Sequence, residues 1–221
     1  MKRARLAVLV SGRGRNLQAL QAACADGRIA ADPVLVISND ASAAALAFAR
    51  EREIPAIALP HGEFSSRTDF DSALGQNLRR VKPDIVALTG FMRILGSELV
   101  AEFTGRMLNI HPSLLPKYPG LHTHRRALAA HDAQHGATVH FVTPELDGGP
   151  RVLQGAVAVA ADDDEARLAA RVLQQVELKI YPQVVAWLAR GELSFAQGQA
   201  LWHSRPLTQP LTLTDLEEAF R

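Results

Sequence analysis

The chain has 221 residues, 48% of them hydrophobic and 21% charged, with a formal net charge of +1. That is the balance of a soluble globular protein, long enough for one well-filled core and short for two full domains. It makes no global electrostatic case for a nucleic-acid or anionic-membrane partner, and the single cysteine, Cys24, excludes an internal disulfide and fits a reducing, cytoplasmic setting.

Lys2-Arg3-Ala4-Arg5 followed by Leu6–Val10 has the charge order of a signal peptide. The apolar run is too short for one and ends in a glycine turn, so Leu6–Val10 is a first strand. Asn16–Ala25 reads as a helix with Leu17, Leu20 and Cys24 on one face; the thiol there has no activating neighbour and is core filler. Pro33–Ser38 is a strand, Ala43–Glu51 an alanine-rich helix, and Ile54–Ala58 a short strand. Asp69–Arg80 is helical, Asp84–Leu88 a strand of the continuously apolar type, Ser97–Phe103 a short helix and Met107–His111 a strand. A proline-rich segment, His111–Gly120, then leads to a helix near Arg125–Asp132. Gly136–Thr143 and Arg151–Val159 read as two strands whose short connection suits an antiparallel pair. Asp163–Ala189 is a long helix, kinked or divided at Pro182, and beyond Gly191 only Asp215–Phe220 has a period. The expected fold is α/β, with a Rossmann-like, mostly parallel but mixed central sheet and helices on both faces. No stretch has the length of a transmembrane helix.

Val10-Ser11-Gly12-Arg13-Gly14-Arg15-Asn16 follows a strand and opens a helix, where glycines permit a tight turn and free amides attract an anion. Arg13 and Arg15 would add charge for a phosphate; the bland alternative is a plain turn with solvated arginines. A dinucleotide site is a weaker rival. Asp40 lies just beyond the second strand, but Leu17 stands where GxGxxG needs its third glycine.

Asn109 and His111 alternate with Leu108 and Ile110, which puts the two polar side chains on one face at the carboxyl end of a central strand. An amide donor beside an imidazole suits acyl transfer, where charge develops on a carbonyl oxygen; a satisfied buried polar pair is the competing explanation. Asp147, in Leu146-Asp147-Gly148-Gly149-Pro150, could orient the histidine or could simply form a turn. His122, His124, His131, His135 and His140 crowd one third of the chain. His131 and His135, four apart on an expected helix, could begin a zinc site and make a metallohydrolase, although Asp132 stands where HExxH has Glu.

Gly90-Phe91-Met92-Arg93-Ile94-Leu95, Leu108–His124 (LNIHPSLLPKYPGLHTH) and Gly136–Gly149 (GATVHFVTPELDGG) closely resemble the glycinamide ribonucleotide formyltransferases, enzymes of purine synthesis. The resemblance runs from about Leu6 to Leu188. It implies a single domain over residues 1–190, with a phosphate-binding half to about 104, a folate and catalytic half from about 105, and a tail over 191–221. It implies that Gly14, Arg15 and Asn16 cradle the ribonucleotide phosphate and that Gln174 and Glu177 touch the same substrate. Met92, Arg93, Ile94 and Leu95, with Thr143, Pro144, Glu145, Leu146 and Asp147, would hold the pterin, and Arg67 would meet the folate. Asn109, His111 and Asp147 match the catalytic trio, with Asn109 also touching the folate.

The implied substrates are small molecules: glycinamide ribonucleotide and 10-formyltetrahydrofolate as co-substrate, with no metal, in a monomer or homodimer. The chain departs from the family pattern at Arg15, where serine is usual, and at Leu178, where histidine is usual. One extra residue also separates Arg171 from Tyr181-Pro182. A formyltransferase acting on methionyl-tRNA would be expected to carry an RNA-binding domain after Leu188, and a formyl-folate hydrolase an extra domain before Leu6.

Overall fold

Leu6–Val10 carries no polar residue and Ile85–Thr89 only its last, as suits strands covered on both faces. In the computed structural model, which describes residues 2–221, they become the middle of a seven-stranded sheet. Its strands are β1 (Ala4–Val10), β2 (Ala31–Ser38), β3 (Ala56–Ala58), β4 (Ile85–Thr89), β5 (Met107–His111), β6 (Gln134–Phe141) and β7 (Arg151–Ala158), in the order β3-β2-β1-β4-β5-β6-β7. The first five run parallel, β6 runs against them and β7, antiparallel to β6, runs with them, so the sheet is mixed as expected. Alternation along β1 feeds two cores. Leu6, Val8 and Val10 join the core under α1 (Arg15–Ala25), α2 (Ala44–Arg50), α6 (Glu165–Val172) and α7 (Leu178–Arg190), while Ala7 and Leu9 join the one under α3 (Arg67–Val81) and α4 (Ser97–Glu102). Helices therefore cover both faces. Strand order reverses between β1 and β4, and their carboxyl ends, with that of β5, open on one edge of the sheet, where α/β folds bind ligands.

The long C-terminal helix is divided at a different place from the one expected. Pro182 lies inside α7, and the break is a π turn, Leu173–Glu177, in which the Leu178 N–H reaches back to the Leu173 carbonyl. Leu168, Val172, Val176, Ile180 and Val184 are all buried at a constant spacing of four. A regular α-helix turns about 100° per residue, which would carry the first and last of these to nearly opposite faces. The π turn takes up the extra residue and keeps both ends of the stripe on one core. Tyr181 then reaches the carbonyls of Leu88 and Leu108, each at 2.9 Å, tying α7 to β4 and β5.

Two further differences matter. The helix α5 is Thr123–Ala129, so His131 sits in a turn at φ 53° and His135 on β6; the helical spacing behind the zinc reading does not exist. No group of three or more potential metal-ligating side chains occurs among the described residues. The region after Gly191, which has no readable period before Asp215, contains β8 (Leu193–Ala196), β9 (Gln199–Trp202) and β10 (Arg205–Pro206) in an antiparallel sheet. Strands this short carry too little alternation to read. Leu211 pairs with Leu153 beside β7, Leu216 and Phe220 are buried in the main core, and Glu217 accepts from Trp187 Nε1 at 2.8 Å. Among the described residues no helix is long and apolar enough to cross a membrane.

Candidate active site

The glycine loop turns from β1 into α1 at Gly14, whose φ of 71° is left-handed and whose Cβ would stand 2.8 Å from that of Ala45. No side chain caps α1, so its first amides have no side-chain acceptor. Arg13 and Arg15 are exposed beside them. Asn16 is buried and donates from Nδ2 to Glu177 Oε2 at 2.7 Å, while its Oδ1 is buried with no partner. Burial raises the Glu177 carboxyl above its ordinary pKa, with the Asn16 bond opposing. Gln174 is exposed on the π turn. Asp40, exposed just after β2, accepts from the Ser42 amide and hydroxyl at 2.8 and 2.7 Å through one carboxylate oxygen.

On β5 the alternation places Asn109 and His111 as expected, and the antiparallel partner β6 sets His140 directly opposite Asn109. His140 Nδ1 faces the Phe141 carbonyl at 2.9 Å and must donate to it, which leaves Nε2 as an acceptor for Asn109 Nδ2 at 3.1 Å. Burial holds His140 below its ordinary pKa, opposed by the Phe141 bond and by Asp147, so the imidazole is neutral and the Asn109 amide is fixed with its NH2 toward it. His111, also buried, donates from Nε2 to the Tyr118 carbonyl at 2.9 Å, and its Nδ1 lies 3.4 Å from Asp147 Oδ2. Both ring nitrogens thus face oxygen atoms, those of the Tyr118 carbonyl and the Asp147 carboxylate. Asp147, at φ 51°, also accepts from the Gly120 amide at 2.8 Å, which joins its turn to the proline-rich loop after β5.

Asn109, His111 and Asp147 floor a cleft of about 770 Å³ that Arg67, Met92, Arg93, Ile94 and Leu146 also line, with His140 behind Asn109. Arg67 opens α3, whose start Ser66 caps by accepting the Asp69 amide at 3.1 Å. A narrower pocket of about 90 Å³, bounded by Leu95, Thr143, Pro144 and Glu145, shares Asn109, Arg93, Ile94, Leu146 and Asp147 with the cleft. All the residues expected around the folate and the chemistry are thus brought together. Gly14, Arg15, Asn16, Gln174 and Glu177 line neither cavity; within that group the structure joins Asn16 to Glu177.

Three participants carried no role in the sequence. His140 could be found only from the β5–β6 register. Ser11 accepts the Met92 amide at 2.7 Å across 81 positions, a contact with no local signal. Asp71 accepts the Gly96 amide at 2.8 Å from α3; burial raises its carboxyl pKa, while the Gly96 bond, Arg67 and Arg93 lower it. His124 and His135 stack edge to face at 4.9 Å, and burial lowers both, His135 to about 4.

The formyl transferase family profile matches residues 4–185. The phosphoribosylglycinamide formyltransferase of Escherichia coli (strain K12) is 49% identical over 195 residues, covering 88% of this chain and 92% of that protein. The Haemophilus influenzae protein of the same name is 42% identical, covering 92% and 95%. A solved structure of the phosphoribosylglycinamide formyltransferase of Coxiella burnetii superposes with a TM-score of 0.89 at 43% identity, over 95% of this chain and 99% of that one. With this fold, and with likeness running through both halves of the sheet, the chain belongs to the formyl transferase family.

Proposed function

We propose that the protein transfers the formyl group of 10-formyltetrahydrofolate to the amine of glycinamide ribonucleotide, in the cytoplasm, as a step of purine synthesis. The observation that carries the reading is the Asn109–His111 pair at the floor of the cleft, held on one side by neutral His140 and on the other by Asp147. The pterin would occupy the narrow pocket between Met92–Leu95 and Thr143–Asp147, with Arg67 on the rest of the folate. The phosphate would lie on Gly14, Arg15 and Asn16, with Gln174 and Glu177 contacting the ribonucleotide.

The substrate amine attacks the formyl carbon; a nitrogen–carbon bond forms and the carbonyl oxygen takes the negative charge. Asn109 offers the second N–H of its fixed amide. His111 offers the Nε2–H that it now gives to the Tyr118 carbonyl, so exchange of that acceptor for the oxyanion is the adjustment the step requires. Collapse of the tetrahedral species breaks the bond to the folate nitrogen, which gains a proton as the attacking amine loses one, through His111 or water. Asp147 opposite Nδ1 orients the ring so that Nε2 can meet the oxygen. The step is a neutral nucleophile attacking an activated amide; it calls for no metal and no covalent enzyme intermediate.

The test follows folate release from a formyl-folate analogue with and without glycinamide ribonucleotide. Release that depends on the ribonucleotide is expected. Release without it would assign a hydrolase, and no release in either arm would remove the formyl-transfer reading.

A further inference from the structure

The Met92–Leu95 segment has no regular structure to hold it. It leaves β4 through Gly90 at φ 69°, and its Met92 and Ile94 side chains are 63% and 56% exposed. Phe91 stacks on Phe70 at 6.4 Å and Leu95 is buried, which fixes the apolar side of the loop but not the path of its backbone. Two side chains from other elements hold that backbone. At one end Ser11, in the glycine loop, accepts the Met92 amide at 2.7 Å and spends its own proton on Asn39 Oδ1. At the other end Asp71, one turn along α3 from Arg67, accepts the Gly96 amide at 2.8 Å. The approach is so close that a Cβ on Gly96 would stand 2.6 Å from Asp71 Oδ2.

We infer that Ser11 and Asp71 are positioning residues of the formyl-folate site, pinning the two ends of the segment between β4 and α4 that forms one wall of the cleft. The inference rests on the folate reading of that cleft. Neither side chain lines the cleft, so each acts through the backbone amide it holds. Ser11 also sets the folate-side wall in register with the glycine loop, so the two substrates' walls share a fixed point. An irregular loop whose amides lose their acceptors keeps its apolar anchors and loses the alignment of its backbone groups, and those are the groups through which a heterocycle in the narrow pocket would be recognised.

The experiment is steady-state kinetics with the full chain, varying each substrate in turn, on Asp71→Ala, Asp71→Asn and Ser11→Ala, with thermal melts as a folding control. Loss of a hydrogen bond to a charged acceptor corresponds to roughly ten- to a hundredfold. Asp71→Ala is therefore expected to raise KM for the formyl-folate analogue by about tenfold or more, with KM for the ribonucleotide changed by less than about threefold. Asp71→Asn keeps an oxygen acceptor for the Gly96 amide and is expected to restore most of the loss, which a role in balancing the charges of Arg67 and Arg93 would not allow. Ser11→Ala tests the other pin independently and should raise the same KM.

An unchanged folate KM in either alanine variant overturns the inference for that residue, and Asp71→Asn as impaired as Asp71→Ala overturns it for Asp71. If Asp71→Ala does not fold, Asp71→Asn and Ser11→Ala carry the test. A wild-type protein that releases no folate in the presence of ribonucleotide would instead overturn the functional reading, and that measurement comes first.

Discussion

The catalytic floor and the glycine-loop corner are built on different plans. On the floor, Asn109, His111, His140 and Asp147 sit on paired strands or a turn bonded to them, and their polar groups face partners of complementary type. At the corner, Arg13, Arg15 and Gln174 stand in solvent, and the buried polar contact is one amide on one carboxylate, Asn16 to Glu177, with the amide oxygen left over. In such a linked network of buried groups, altering one member strands the partners of the others. An open corner of long side chains can exchange contacts with a ligand one by one. The floor is suited to stabilising a transient charge and the corner to binding, so substitutions at the two should separate into kcat and KM effects.

The largest effect should come from the floor. Removing one oxyanion donor costs about a hundred- to a thousandfold in turnover, and Asn109→Ala and His111→Ala are expected to lose that much in kcat with ribonucleotide KM nearly unchanged and melting within a few degrees of wild type. Near-normal kcat in either would break the comparison at its strong end. For the corner, Glu177→Ala strands the Asn16 amide and should raise ribonucleotide KM by roughly tenfold, the effect of losing a hydrogen bond to a charged group. The folate KM should hold. If kcat falls instead, the corner takes part in the chemistry and the division of labour is wrong.

Acid should also separate the two regions, because the buried histidines lie on one side only. In the folded chain burial holds His135 at about 4 and also lowers His124 and His140, whereas the unfolded chain protonates its imidazoles near 6.5. Between those values the unfolded state binds more protons, so stability rises with pH; the contribution is fully present above about 6.5 and is lost as pH falls through about 4. The urea midpoint should fall across that window, with a shallower fall in His135→Gln. Amide exchange in β6 should quicken before that in α1. Equal quickening in both would show that the histidines do not localise the acid response.

Much of this was legible beforehand, for identifiable reasons. The covered strands announce themselves as continuous apolar runs, and Asn109 and His111 share a face by strand periodicity alone. The short link between β6 and β7 betrays the antiparallel pair that makes the sheet mixed. What stayed hidden depends on register or on distance along the chain. His140 faces Asn109 only once β6 is known to pair with β5, and Ser11 meets Met92 through a fold contact with no sequence trace. His131 and His135 misled because α5 ends at Ala129, before either is reached. The division of the long helix falls at the π turn, whose extra residue leaves no compositional mark, while Pro182 lies inside α7.

The smallest expected effect lies at the π turn, and it asks how much of the corner's shape the extra residue controls. Deleting Gln175, which is exposed, leaves Val172 and Ile180 seven apart instead of eight. At about 100° per residue that spacing closes within roughly 20° of whole turns, so an unbroken α-helix keeps both on the core. Glu177 stays in phase with α7, and with it the bond to Asn16, while Gln174 shifts toward α6. The deletion variant is expected to fold, to melt within a few degrees of wild type and to hold ribonucleotide KM within about threefold, since it forfeits no hydrogen bond to a charged group. A loss as large as that of Glu177→Ala would show that the π turn itself shapes the ribonucleotide end and that the corner is less adaptable than its exposed side chains indicate.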